Sequence, residues 1–231
     1  MIYENIYEGR FIKRLNRFIA IVEINEKEET VHVKNTGRCS ELLIEGAKIH
    51  LQYVDKKTRK TKYSLINVFK NENLFNIDSQ VPNKVVEDAL RNNKIKGLKD
   101  LDYLKREQTY GNSRFDFYFE KGEIKGYIEV KGVTLENNGF AKFPDAPTIR
   151  GRKHVNELVQ AKADGFDAYI FFLLQFKGGH EFSTNRKMDP KFAMAVDDAR
   201  KNGVKVLVYD SVVKKDSIVI SEEVNYNSKD R

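Results

Sequence analysis

The apolar pattern of this 231-residue chain changes period between residues 78 and 82. Before that point the β-forming residues come in short runs broken by turn residues. After it, helix-length amphipathic stretches alternate with continuous apolar runs. Few folds accommodate both patterns in one unit, so the change predicts two domains, 1–80 and 81–231. In the first part, "FIKRLNRFIAIVEI", "TVHVK", "AKIHLQYV", "KYSLINVF" and "NLFNI" are rich in β-branched and aromatic residues. Val31 and Val33 alternate with His32 and Lys34. These runs, with "SELLI" as a short helix among them, fit a small Greek-key barrel of OB type. A β-sandwich fragment is the competing arrangement.

The second part opens on "VPNKVVEDALRNN", where Asn83 is a helix N-cap candidate. Val85, Val86, Ala89 and Leu90 then share one helical stripe. Strands "YLKREQTY", "SRFDFYF" and "GYIEVK" follow, then a helix over "PTIRGRKHVNELVQAKADG". "DAYIFFLLQ" and "VKVLVYD" are the continuous apolar runs of strands buried on both faces. Between them, "DPKFAMAVDDARKNG" carries an Asp cap, Pro at the first position and a terminal Gly. Strand and helix in alternation predict a mixed or parallel sheet flanked by helices, and so an α+β protein overall.

Charge narrows the partner. Lys and Arg number 41 against 34 Asp and Glu, a net charge of +7, which favours a polyanion, nucleic acid before membrane. A single cysteine, Cys39, excludes an internal disulfide and a multi-cysteine zinc site. The opening "MIYENIYEGR" has neither the basic nor the apolar region of a secretory signal. The longest apolar run, "AYIFFLLQF", falls well short of the ~20 residues of a membrane helix. A soluble cytoplasmic protein is expected.

The stretch "GYIEVKG" carries the chemistry. On a strand, Tyr127, Glu129 and Lys131 share one face, and Ile128 and Val130 the other. In the preceding "FDFYF", Phe115, Phe117 and Phe119 share a face opposite Asp116 and Tyr118. A hairpin of the two strands sets Asp116 beside Glu129. Two adjacent carboxylates are costly unless a cation lies between them. Mg²⁺ or Mn²⁺ held there, with Lys131 alongside, is the apparatus of phosphodiester cleavage. Glu87, at ~100° per residue, borders the apolar stripe of its helix and is a third candidate acid. Arg150, Arg152, Lys153 and His154 crowd the start of a helix, where cations oppose the dipole unless phosphate comes to the same end. The competing reading is a solvated hairpin face, since Glu-x-Lys alone is a weak pattern and recurs at Glu123 and Lys125.

Further basic residues face the same pair of readings. Lys13, Arg14 and Arg17, and Lys56, Lys57, Arg59 and Lys60 in "DKKTRK", are candidate DNA contacts or solvated turns. Phe11 and Phe18 flank the first group as base-stacking or core residues. His180 and Glu181 lie near the site or in a surface loop. Asp145 is either a turn residue capping the next helix or a further site acid.

The segments "YGNSRFDF", "GYIEVKGVTL", "AKFPDAPTIRGRKHVNEL" and "EGRFIKRLNRFIAIVEI…KNTGRCSELL" resemble the sugar fermentation stimulation protein A family over almost the whole chain. The resemblance implies an N-terminal OB-like domain and a C-terminal domain of the restriction-endonuclease-like, PD-(D/E)xK, type. It implies Asp116 for the family's aspartate and Glu129 and Lys131 for its Glu-x-Lys, with Glu87 as the helix acid of related folds. It implies sequence-nonspecific DNA binding, with either a nuclease activity or a non-catalytic regulatory role in sugar (maltose-type) metabolism. Two departures are Gly132, where relatives are expected to carry Ser, and Arg38-Cys39, where Ser-Met is expected.

Overall fold

The structure is a computed structural model that describes residues 1–35 and 37–228. The long β-forming run at residues 11–24 makes two strands. It breaks at Asn16, whose Oδ1 accepts from Phe18 N (2.9 Å) and Ile19 N (3.1 Å), the local bonding that lets Asn close a turn. β1 (Ile6–Arg14) and β2 (Ile19–Ile24) form the resulting hairpin. β3 (Lys27–Val33), β4 (Lys48–Tyr53), β5 (Tyr63–Lys70) and β6 (Asn73–Asn76) follow. Their order is β3-β2-β1-β4-β5-β6, and β3 also pairs with β5. That pairing, parallel through His32 to Ser64 and Val33 to Leu65, closes β1 to β5 into a five-stranded barrel. Closure removes exposed strand edges. Ala20, Val22, Val31, Val33, Leu51 and Leu65 fill the interior. "SELLI" forms turns instead of the expected helix, with Leu42 N and Leu43 N both donating to Cys39 O.

The second domain runs α1 (Val81–Arg91), β7 (Tyr103–Tyr110), β8 (Ser113–Lys121), β9 (Ile124–Val133), β10 (Glu136–Asn137) and β11 (Phe140–Phe143). It continues with α2 (Ile149–Ala163), β12 (Asp167–Leu174), β13 (Glu181–Thr184), α3 (Pro190–Lys201), β14 (Lys205–Val213), β15 (Ile218–Glu223) and β16 (Asn225–Tyr226). The main sheet has the order β15-β14-β12-β9-β8-β7. Its centre, β9, β12 and β14, is parallel, and its flanks are antiparallel. β12 is buried on both faces, as its sequence predicts. Ile170, Phe172 and Leu174 pack toward α2 and α3, and Tyr169, Phe171 and Leu173 toward α1. Thr148 Oγ1 caps α2 by accepting from Gly151 N (3.0 Å), and Asp189 Oδ1 caps α3 by accepting from Phe192 N (2.9 Å). A small second sheet, β10-β11-β13-β16, has strands too short to announce themselves in sequence. Among the described residues no helix is long and apolar enough to cross a membrane.

A buried polar knot joins the domains. Gln175 Nε2 donates to Asn76 O (3.1 Å), Asn76 Oδ1 (3.0 Å) and Asp78 O (3.1 Å). Asn76 Nδ2 donates to Tyr3 OH and Asn67 Oδ1, each at 2.9 Å. The rings of Phe75 and Phe176 pack beside it, centroids 4.5 Å apart. Tyr3 N donates to Asp216 O (2.7 Å) and Ile2 bridges to Ser217. The first three residues therefore lie on the second domain, although the sequence groups them with the barrel. Gln175→Ala removes the donor on which three acceptors converge. It should cost roughly 1–3 kcal/mol in urea unfolding. Gln160→Ala, whose amide donates to Asp164 at the surface, should change stability by no more than about 0.5 kcal/mol.

Candidate metal and phosphate site

The site forms where two strands part. The ladder between β8 and β9 runs from Lys121–Ile124 to Phe117–Ile128 and stops. On the other side of β8, Glu107 takes a left-handed φ of +55° between the paired positions Arg106–Phe117 and Gln108–Phe115. The strand changes face at Asp116. Phe117 and Phe119 pack with α1, but Phe115 packs with Tyr127 on the α2 side, centroids 5.3 Å apart. Strict alternation, which puts all three phenylalanines on one face, fails at this residue. In the gap, Asp116 Oδ2 accepts from Val130 N (2.7 Å) and Oδ1 from Asn83 Nδ2 (2.6 Å).

Asn83 is not the cap that its sequence context suggests. α1 begins two residues earlier, after Gln80, whose N–H is held by Asp78 Oδ1 (3.0 Å), and Pro82 lies in its first turn. That start places Asn83 against Asp116. Glu87, one turn on, holds Arg91 instead (Nη2 at 2.9 Å) and stands 3.5 Å from Arg106. The structure does not bring it to the two carboxylates, contrary to the expected third acid.

Glu129 enters the gap from the α2 side and is only 3% exposed. Its Oε1 takes both Lys131 Nζ and His154 Nδ1, the latter at 2.5 Å. Arg150 Nε donates to His154 Nε2 (3.4 Å), which leaves Nδ1 as the nitrogen that carries the proton toward Glu129. Glu129 Oε2 is buried and has no hydrogen-bond partner among the described residues. Burial pushes Glu129 up, but Lys131 and His154 together bring it below the ordinary glutamate value. Burial, and then the charge of Glu129, hold Asp116 above the ordinary aspartate value, against the Val130 amide, Lys131 and Asn83. One carboxylate is thus settled as an anion, and its neighbour resists becoming a second one.

This donor set suits a hard divalent cation. Mg²⁺ binds through one or two carboxylates and keeps several waters or phosphate oxygens. Asp116 and Glu129 supply two such groups, one with an unused buried oxygen. Among the described residues no group of three His, Cys, Asp or Glu side chains is placed to hold a metal ion.

The basic candidates divide. Arg150 is exposed and Arg152 half-buried at the start of α2. Lys153 Nζ donates to Asn112 O (2.8 Å), tying α2 to the turn between β7 and β8. His154, expected among the DNA contacts, is buried on Glu129 instead. It sits four residues before the core residue Leu158, a spacing that marks the inner face of α2. Arg14 also turns inward. Its guanidinium donates to the carbonyls of Asn35, Arg17 and Arg38 (each 2.6 Å), Gly37 (2.7 Å) and Asn16 (3.2 Å). Five backbone acceptors leave it little to offer a phosphate. Lys13, Arg17, Lys56, Lys57 and Lys60 are exposed, and Arg59 donates to Ser64 Oγ (2.8 Å). Phe11 is core at 3% exposure, but Phe18 stands 49% exposed. Asp145 leaves the α2 cap to Thr148 and lies against Gly37, where a Cβ would strike its carboxylate. His180 is exposed, and Glu181 begins β13 and accepts from Asn227. The Cys39 thiol is buried and pushed up to about 12, an unreactive state.

An OB barrel followed by a mixed sheet domain with three helices, its paired carboxylates at the parting of two strands, defines a class of two-domain protein whose second half is restriction-endonuclease-like. The chain belongs to the sugar fermentation stimulation protein family. The family model described as SfsA N-terminal OB domain matches residues 12–77, and the Sugar fermentation stimulation protein RE domain matches residues 80–217. The sugar fermentation stimulation protein homolog of Alkaliphilus oremlandii is 53% identical over 230 residues, 97% of this chain and 98% of the relative. The homolog of Desulfitobacterium hafniense strain Y51 is 55% identical over 219 residues, 94% of each chain. The structure of Pyrococcus furiosus SfsA in complex with Ca²⁺ superposes with a TM-score of 0.89 at 27% identity, covering 98% of both chains.

Arg14 and Arg17 give opposite expectations from neighbouring positions. Arg14→Ala should lower unfolding stability by roughly 1–3 kcal/mol, because it strands backbone acceptors. Arg17→Ala should stay within about 0.5 kcal/mol. Equal losses in chemical denaturation would contradict the inward role of Arg14.

Proposed function

We propose that the protein binds DNA without regard to sequence, holds Mg²⁺ or Mn²⁺ between Asp116 and Glu129, and cleaves phosphodiester bonds. The observation that carries this reading is the unpartnered buried oxygen of Glu129 beside an aspartate held above its ordinary value. The Ca²⁺ of the P. furiosus relative, an ion with the same preference for oxygen ligands, supports it. Bound there, a cation supplies charge compensation and a water of lowered pKa. The protein's own residues do the rest. His154 fixes the Glu129 carboxylate through its Nδ1 proton. Lys131, on the same oxygen, sets an ammonium beside the reacting phosphate. Arg150 and Arg152 draw phosphates to the end of α2, and the OB barrel supplies further contact.

A second reading keeps the fold and gives up catalysis, leaving a DNA-binding regulator of sugar metabolism. What favours it is the engagement of Glu87 by Arg91 and Arg106, which leaves two acids in place of three. Cleavage of plasmid and branched DNA separates the two. Wild type should cleave with Mn²⁺ or Mg²⁺, and Glu129→Gln and Lys131→Ala should each lose roughly 10²-fold or more. Binding without metal should persist in both variants. Replacing Arg150 and Arg152 by Ala should weaken binding to every sequence alike and flatten the salt slope by about 1–2. Wild type that binds metal yet cleaves no DNA would leave the regulator.

A further inference from the structure

Phe18 raises a question that the catalytic reading leaves open. A lone exposed apolar side chain is ordinary. The setting of this one is not. Its loop is rigid: Asn16 Oδ1 accepts from Phe18 N and Ile19 N, Phe18 O accepts from Val33 N (2.7 Å), and Arg14 clamps the carbonyls of Asn16 and Arg17 from below. The same guanidinium clamps Asn35, Gly37 and Arg38, so two loops are fixed by one side chain. The result holds Phe18 at 49% exposure and Leu15 at 54% on the same turn. The barrel's other strongly exposed aromatic, Tyr7, has its ring engaged by Tyr53 and Tyr63, centroids 6.1 and 5.5 Å away.

Charge surrounds this turn. Lys13, Arg17 and Arg38 are all exposed. The turn also opens onto a groove between the domains. Arg14, Asn16, Arg17, Arg38 and Leu43 line it from the barrel and Ala146 from the other side. Ala146 lies two residues before Thr148, the cap of α2, the helix that carries His154 to Glu129. An aromatic face, flanking cations and an adjoining groove lined by Arg14, Arg17 and Arg38 are the parts of a single-strand site, in which bases stack and phosphates meet Lys and Arg.

We infer that Phe18 is a stacking platform for an unpaired base, so that the ligand of the groove is DNA with a single-stranded segment. This rests on the DNA-binding reading above and adds a preference to it. Duplex bases are already stacked on both faces, and they offer Phe18 nothing. A free strand offers a face at every nucleotide.

The chain contains no tryptophan, so Phe18→Trp installs a single reporter. The titration is run in EDTA, where the carboxylates hold no cation, with an oligothymidylate and with a duplex of equal length. Binding is followed in parallel by anisotropy. The single strand should quench the tryptophan, and the duplex should leave it nearly unchanged. Phe18→Ala should bind the single strand roughly tenfold more weakly, with duplex affinity held within about twofold. Single-strand binding without quenching, or equal quenching by both DNAs, overturns the platform. In that outcome duplex binding with its salt slope intact leaves the DNA-binding reading standing. Failure of the wild type to bind any DNA overturns both.

Discussion

Two carboxylates share a buried gap, and the surrounding fold is arranged around that expense. Like charges at close range in a poorly solvated space oppose folding unless neighbours answer them. Four donors from the surrounding elements supply the answers. The end of the β8–β9 ladder frees the Val130 amide for Asp116, α1 sends Asn83, α2 sends His154, and β9 sends Lys131 from two residues along. These donors satisfy three of the four carboxylate oxygens. The fourth, the buried Glu129 Oε2, has no hydrogen-bond partner among the described residues, and it gives the gap its chemical direction.

The barrel matters to the site because it cannot drift from it. Gln175 follows directly on β12, the strand paired with β9, and its amide is spent on Asn76 and Asp78 at the end of the barrel. Lys34 steadies that Asp78 from within the barrel at 3.2 Å, and Lys70 reaches across to Glu136 at 2.6 Å. Gly37 and Asp145 touch across the same seam. On the proposed function, a nucleic-acid strand bound beside Arg17 and Arg38 would thereby keep a fixed placement relative to the carboxylates. Fixed placement of this kind would serve the proposed cleavage directly, since misplacement of about 1 Å carries a large rate cost in enzymes.

Much of this was legible in the sequence. The period change near residue 80, the capped helix at Pro190 and the doubly buried β12 run are strong local signals, and the structure has these elements. Glu129, Asp116 and Lys131 could be brought together from alternation on two neighbouring strands. What sequence could not carry was direction at a break in alternation. The left-handed Glu107 opposite Asp116 turns Phe115 away from Phe117, and no residue in "REQTYGNSRFDF" signals that reversal. Side chains with several possible partners were equally hidden. Arg14 reads as one more cation in a basic cluster, because carbonyls of a loop twenty residues away leave no trace in composition. His154 reads as part of a cationic patch, although its spacing from Leu158 already put it on the inner face. Glu87 borders the apolar stripe as expected, and two arginines claim it.

Thermal unfolding of wild type and Asp116→Asn, with and without Mn²⁺, tests most directly whether Asp116 and Glu129 hold a cation between them. Asp116 has a folded pKa above its unfolded one, so its favourable contribution is present at low pH and lost as pH rises through the folded value. Ionisation of this side chain therefore opposes folding, and Asn removes that opposition. Without metal the variant should melt above wild type, by about 2–4 °C for each kcal/mol relieved. Mn²⁺ should raise the melting temperature of wild type, because it binds only the folded state, and should leave the variant unmoved. Equal melting without metal and an equal response to Mn²⁺ would contradict the account.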